Sequence, residues 1–169
     1  MNCLEPSEPQ TVTPYLTAAA PALEFPIAQV AVLRPERTFW EKATLIHVEC
    51  NRADLKPSKE RLCRHWCDVA LLADHDIGRR ALADRGLLES VVQYKSAFYS
   101  SSHANYAACL DGGLRLLPPP EMQRHLRADL QKMVMYGMFE GPPPDFDEIV
   151  KRLRVLELAI NEPATEKAS

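Results

Sequence analysis

The chain has 169 residues, of which 46% are hydrophobic and 25% charged, and its formal net charge is −3. A chain of this length can bury a hydrophobic core as one domain, with or without tails. The charge balance excludes a globally basic nucleic-acid-binding protein, although a local basic patch remains compatible with it.

The five cysteines and the N-terminal sequence bear on the cellular compartment. An odd number of cysteines in a chain without a secretory signal argues against a disulfide framework. The most apolar window, residues 15–33, is interrupted by Pro21, Glu24 and Pro26, so it does not predict a membrane-spanning helix. We therefore expect a cytoplasmic protein that does not enter a membrane.

The first part of the chain predicts extended structure followed by a strand. Residues 1–26 contain five prolines and little periodicity, so we expect an extended segment with a possible short strand at residues 10–16. Residues 27–33 are rich in Val and Ile and alternate weakly, which predicts a strand. Pro35 then favours the start of a helix, although Thr38 and Glu41 have capping-box spacing and allow a later start.

The rest of the chain predicts helices separated by polar or proline-rich connections. A second helix is expected at residues 58–73, a short third from about residue 76, and a fourth that continues to Phe98. Residues 114–117 suggest a short strand. Three prolines at 118–120 precede a fifth helix, and Asp145 is the expected N-cap of the last one.

Together these elements predict a mainly α fold of five or six helices with a short N-terminal β segment. We expect an extended segment at residues 1–26, a helical domain at residues 27–161 and a polar tail at residues 162–169. No internal repeat or low-complexity tract is present.

Two charged residues on neighbouring predicted helices are the strongest functional signal. Lys42 ends the string Arg-Thr-Phe-Trp-Glu-Lys at residues 37–42, and Asp68 ends the string Arg-His-Trp-Cys-Asp at residues 64–68. A lysine can offset phosphate charge, and a carboxylate can bind a metal or accept a proton. The pair therefore suits a polyphosphate site, whereas the alternative is a surface lysine beside a helical Arg64–Asp68 salt bridge.

These two strings, followed by Leu71 and Leu72, resemble the C-terminal half of AbiEii/AbiGii-type nucleotidyltransferases. That family belongs to the DNA polymerase beta-like superfamily and includes toxins of toxin–antitoxin and phage-defence systems. The resemblance extends from about residue 10 to residue 161. It implies transfer of a nucleotide from a nucleoside triphosphate (NTP) to an RNA acceptor such as tRNA, with Mg²⁺ as the cofactor and an antitoxin as a possible partner.

The resemblance also implies roles for individual residues. Lys42 would contact the triphosphate, and Asp68 would complete the catalytic site. The predicted substrate-binding residues come from the same two strings and are Arg37, Glu41, Arg64 and His65. The two arginines would support phosphate charge, while His65 is either a general acid or base or a hydrogen-bonded interface histidine.

One part of the family pattern is absent from this sequence. No Gly-Ser or Gly-Gly turn is followed by a helix and a strand with two alternate aspartates, and Gly112-Gly113 lies downstream of Lys42. In-line nucleotidyl transfer needs paired carboxylates to hold its divalent metal. We therefore expect a chain that is inactive by itself, either a fragment, a truncated product or one subunit of a split enzyme.

Several other interpretations remain open at this stage. The chain could be a non-enzymatic helical module that binds a partner or itself through an apolar surface formed by Phe25, Ile27, Val30 and Val32. Six cations could form a phosphate-binding patch or a solvated face: Arg34, Arg37, Lys56, Lys59, Arg61 and Arg64. His47, Cys50, Cys63 and Cys67 could converge on zinc or lie in the core. Trp40, Trp66 and Phe98 could stack a base or anchor the core.

Overall fold

The computed structural model describes residues 6–52 and 61–162. In these residues the chain is mainly helical and begins with a two-stranded antiparallel sheet, which confirms the predicted fold class. The elements are β1 (Ser7–Val12), α1 (Leu16–Ala19), β2 (Ala28–Leu33), α2 (Pro35–Cys50), α3 (Arg64–Asp74), α4 (Asp76–Ala83), α5 (Arg85–Phe98), α6 (Pro120–Met135) and α7 (Phe146–Asn161), with a 3-10 turn at Tyr106–Cys109.

The described residues contain seven α-helices rather than five or six, because the segment before β2 includes the four-residue helix α1. Its Leu-Thr-Ala-Ala sequence favours a helical turn, and Pro14 accepts a hydrogen bond from the Thr17 backbone N–H at 3.0 Å. The strand expected at residues 10–16 lies earlier, at β1, and ends before α1. The strand expected at residues 27–33 corresponds to β2.

The two strands form a hairpin with both faces largely exposed. Ser7 pairs with Leu33 at one end and Val12 with Ala28 at the other. Val30 and Val32 on the hairpin remain 39% and 40% exposed. The ladder continues one position beyond the strands, where the Arg34 N–H donates to the Pro6 carbonyl at 3.0 Å.

Helix α2 is the central element of the helical part and contacts α3, α4 and α5. It begins at Pro35 as predicted, so the later start suggested by Thr38 is wrong. The apolar positions predicted for its core face are all buried: Phe39, Ala43, Ile46 and Cys50. The helix also buries charged side chains, Glu36, Arg37 and Glu49, whereas Glu41 and Lys42 are partly exposed.

Helix α3 starts at Arg64, later than the residue 58 expected from the sequence, and residues 58–60 lie outside the described part. Arg61 has a positive φ of 60°, so the described chain just before α3 is a turn. The Asp129 carboxylate, from α6, accepts the backbone N–H groups of Arg61 and Cys63 at 2.9 and 2.8 Å. A side chain distant in sequence thus satisfies donors at this helix start.

The strand predicted at residues 114–117 is wrong, since this segment is extended but pairs with no other strand in the described chain. Three of its backbone N–H groups instead bind side chains of α7, and that of Arg115 binds His47 of α2. Leu114 donates to Asn161 Oδ1 at 3.0 Å, and Leu116 and Leu117 donate to Glu157 Oε2 at 2.5 and 2.9 Å. The buried Leu114 and Leu116 side chains produce the strand-like pattern without a sheet.

The last two helices agree with the prediction. Helix α6 begins at Pro120, and the Asp145 carboxylate caps α7 by accepting the Asp147 and Glu148 N–H groups at 2.9 and 3.1 Å. Each presents a buried apolar face to the core. None of the helices in the described ranges combines the length and apolar character that crossing a bilayer requires.

The link between Asp129 and the start of α3 gives a stability prediction. Asp129→Ala removes the acceptor of two charge-assisted hydrogen bonds, so we expect the free energy of unfolding to fall by about 2 kcal/mol. Urea denaturation would measure this. Glu121→Ala is a control on the same helix, because Glu121 is 74% exposed and should change stability by less than about 0.5 kcal/mol. Equal losses in both variants would contradict the role of Asp129.

Candidate functional site

Lys42 and Asp68, the two residues selected from the sequence, are in direct contact. Lys42 Nζ lies 2.7 Å from Asp68 Oδ2, and their side chains are 25% and 41% exposed. A partly exposed ion pair contributes little to stability, typically below about 1 kcal/mol. The pair can therefore open at small cost, and Lys42 can exchange the carboxylate for another anion.

Two buried tryptophans determine where this pair lies. Trp40 and Trp66 are fully buried, and each precedes its charged residue by two positions. The Trp40 indole N–H donates to the Ala81 carbonyl at 3.1 Å, and that of Trp66 donates to the Leu116 carbonyl at 3.0 Å. Both rings therefore anchor the core rather than offering a surface for a base.

Arg37, the first predicted substrate-binding residue, lies inside the protein. Its side chain is 2% exposed and its Nε donates to Glu41 Oε1 at 3.0 Å. The guanidinium also lies over the Tyr94 ring at 5.8 Å from the centroid. Arg37 thus holds Glu41, which is itself 32% exposed.

Lys95 is a further cation of this site, and it was not among the site residues predicted from the sequence. Its Nζ donates to the Glu41 backbone carbonyl at 2.6 Å, next to Lys42. Burial lowers the pKa of Lys95 to about 8, although the Glu41 carboxylate acts in the opposite direction. The sequence feature that could have indicated Lys95 is its position, because this lysine continues the apolar stripe of Val91 and Val92 on α5.

His65 lies among the same charges. Desolvation lowers its pKa to about 4, the Lys42, Arg64 and Lys95 charges act in the same direction, and Asp68 opposes them. The imidazole is therefore neutral at physiological pH. Its Nδ1 is buried and makes no hydrogen bond with the described residues, while Arg64 is exposed.

The residues around Lys42 do not form a magnesium site of their own. Within residues 6–52 and 61–162, no group of three or more His, Cys, Asp or Glu side chains is arranged to hold a metal ion. Asp68 is paired with the Lys42 ammonium at 2.7 Å, and Glu41 is paired with Arg37. Because Mg²⁺ requires several oxygen ligands in near-octahedral geometry, these residues do not fit a resident ion.

The structure also bears on the zinc-ligand hypothesis and on the cation-patch hypothesis. Both His47 ring nitrogens contact protein groups: Nδ1 accepts the Arg115 N–H at 3.0 Å, and Nε2 lies 3.1 Å from the Asn105 carbonyl. This arrangement leaves neither nitrogen for zinc. Of the six proposed patch cations, Lys56 and Lys59 lie outside the described residues.

A pocket of about 710 Å³ lies apart from this site. It is formed where the start of α5, the Leu110–Gly112 turn and the end of α7 meet. None of the residues selected from the sequence lines it. The candidate site is thus an open charged surface between α2, α3 and α5 rather than a deep cavity.

The mainly helical fold with a short N-terminal sheet is the one that the resemblance implied. The family model described as nucleotidyl transferase AbiEii toxin, type IV toxin–antitoxin system, matches residues 2–152. The chain therefore belongs to the AbiEii nucleotidyltransferase toxin family, and the matched range includes every site residue named above. No curated protein and no solved structure matches the chain.

The environment of His65 gives a pH prediction. The pKa of His65 is 6.5 in the unfolded chain and about 4 in the folded one. Between pH 6.5 and pH 4 the unfolded state therefore binds more protons than the folded state. His65 should therefore lower the free energy of unfolding by about 2 kcal/mol across this window.

The measurement is urea denaturation at several pH values for the parent chain and His65→Gln. The variant should lose less stability between pH 6.5 and pH 4. His125→Gln, at an exposed position of α6, should retain the parent's pH dependence. Parallel curves for the parent and His65→Gln would refute the neutral, buried state of this imidazole.

Proposed function

We propose that this chain binds a nucleoside triphosphate through Lys42, as part of a system that transfers a nucleotide to an RNA acceptor such as tRNA. The observation that carries the proposal is the 2.7 Å contact between Lys42 and Asp68 at a partly exposed position. Membership of a nucleotidyltransferase toxin family supports it. A cognate antitoxin and a cytoplasmic location are part of the same proposal.

Exchange of anions at Lys42 is the central step. A phosphate oxygen replaces Asp68 Oδ2 as the partner of the ammonium, and because a triphosphate carries several charges it competes well with one carboxylate. Lys95, on the adjoining Glu41 carbonyl, and the exposed Arg64 add positive charge nearby. His65 adds no charge, so its ring can approach the phosphate as a neutral hydrogen-bonding group.

The displaced Asp68 carboxylate then becomes available to the acceptor. It can accept a hydrogen bond or a proton from an RNA hydroxyl that approaches the bound phosphate. Arg37 contributes indirectly in this proposal, because it is buried and positions Glu41 rather than touching the substrate. The Glu41 backbone carbonyl in turn accepts a hydrogen bond from Lys95 Nζ.

We also propose that this chain does not complete the transfer by itself. Nucleotidyltransferases typically use Mg²⁺ held by paired carboxylates. Residues 6–52 and 61–162 contain no group of three or more His, Cys, Asp or Glu side chains that could hold a metal ion, and the sequence lacks the strand with two alternate aspartates. The carboxylates would therefore come from a further polypeptide segment or a second subunit.

Triphosphate binding tests the role of Lys42. Lys42→Gln removes one charge-assisted contact to phosphate, so ATP or GTP should bind about tenfold to 100-fold more weakly. Isothermal titration calorimetry would compare the parent chain, Lys42→Gln and Lys132→Gln. Lys132 is exposed on α6, and its replacement should leave affinity unchanged. Equal binding by the parent and Lys42→Gln would remove the basis of the proposal.

A transfer assay tests the second part. With this chain alone, labelled triphosphates and tRNA should give no labelled RNA. Labelled RNA should form when a carboxylate-bearing partner domain is supplied. Labelling by the isolated chain that depends on Asp68 would mean that its own residues suffice.

A second candidate is a non-enzymatic interaction module, favoured by the exposed apolar residues around the hairpin. Ile27 is 68% exposed, and Val30 and Val32 are 39% and 40% exposed, as this hypothesis expected, while Phe25 is partly buried. If these residues mediate self-association, light scattering should detect a dimer that Ile27→Ser with Val30→Ser dissociates. A monomer at high concentration would argue against the module.

A further inference from the structure

Two large aromatic side chains that are adjacent in sequence at the end of α5 are open to solvent. Phe98 is 66% exposed and Tyr99 is 61% exposed. Exposed apolar rings forgo a large burial gain, so adjacent ones indicate a surface that binds something. We call these two residues the aromatic platform.

Neighbouring groups hold the platform in place. The Tyr94 ring lies 5.0 Å from that of Phe98 and 6.1 Å from that of Tyr99, measured between centroids. The Tyr99 N–H donates to the Lys95 carbonyl at 2.8 Å, and the Tyr99 carbonyl accepts the Tyr106 hydroxyl at 3.3 Å. Rings that are already ordered lose little conformational freedom when a ligand stacks on them.

The aromatic platform adjoins the Lys42 site. Phe98 follows Lys95 by three residues, so the two lie one helical turn apart on α5. Lys95 Nζ is bonded to the Glu41 carbonyl, one residue before Lys42. Tyr94, beneath the platform, also lies under the Arg37 guanidinium that holds Glu41. A chain of direct contacts thus joins the rings to the proposed phosphate site.

We propose that the aromatic platform stacks an unpaired base of the single-stranded RNA acceptor, an inference that rests on the proposed function. Stacking on Phe and Tyr suits every base, and nearby cations attract the RNA backbone. Lys95 and Arg64 supply positive charge here, whereas Lys42 and Arg37 are offset by their partners Asp68 and Glu41. The α5 C-terminus repels phosphate, so it is the base rather than its phosphate that lies on the rings.

The openness of the platform favours RNA over the base of the triphosphate. Sites for small nucleotides are usually concave and enclose most of the ligand. Here more than half of each ring faces solvent, and neither ring lines the 710 Å³ pocket. An open pair of rings beside a charged surface is instead typical of single-strand binding, in which successive bases stack along the protein.

The test measures binding of a fluorescein-labelled single-stranded oligoadenylate by fluorescence anisotropy, without triphosphate. Phe98→Ala should weaken binding about 5- to 150-fold, the range for loss of one base–aromatic stack. Phe98→Trp should retain the affinity, while Phe98→Leu, which stays apolar but lacks a π-face, should not. Tyr136→Ala is the matched control, because Tyr136 is 70% exposed at the end of α6.

Three results would overturn the platform: no RNA binding by the parent chain, full affinity of Phe98→Leu, or weaker ATP binding by Phe98→Ala without weaker RNA binding. Loss of self-association in Phe98→Ala, with RNA affinity unchanged, would also overturn it and make the surface a protein-docking site. Circular dichroism should report the same fold for every variant. RNA binding that needs Phe98 would support the platform even if ATP binding proved independent of Lys42, so the two proposals can fail separately.

Discussion

The site depends on two buried indoles that set the rotation of neighbouring helices. Trp40 and Trp66 each donate to a backbone carbonyl from another part of the chain, so neither α2 nor α3 can turn about its axis without breaking a buried hydrogen bond. Two residues along a helix correspond to a rotation of about 200°. Burial of each indole therefore directs Lys42 and Asp68 away from the core, where they meet at 2.7 Å.

The charges around this contact form two sets of contacts. The buried Arg37 is paired with Glu41, and Lys95 is bonded to the Glu41 backbone carbonyl, so the second contact links α2 to α5. Lys42 and Asp68 form a separate pair that solvent can reach. Because a partly exposed ion pair contributes little to stability, this pair can exchange partners at small cost.

The proposed contacts to phosphate and to a base lie on different helices of the same fold. Lys42 is presented by α2, whereas the aromatic platform ends α5, and the two are linked through Lys95 and the Glu41 carbonyl. This division suits a surface that joins a polyphosphate to a longer single-stranded substrate. The exposed apolar residues of the hairpin belong to neither of these two proposed sites.

The sequence by itself determined the features that arise from local signals. Proline and aspartate marked the starts of α2 and α7, apolar periodicity gave the buried face of α2, and the two strings containing Lys42 and Asp68 indicated the family. Only the tertiary structure decided that Arg37 is buried, that Lys95 joins the site and that Asp129 binds the start of α3. Residues 114–117 likewise bind side chains of α7 and α2 instead of a partner strand. Each of these depends on contacts between residues far apart in the chain, and no local pattern encodes which distant group satisfies a given polar atom.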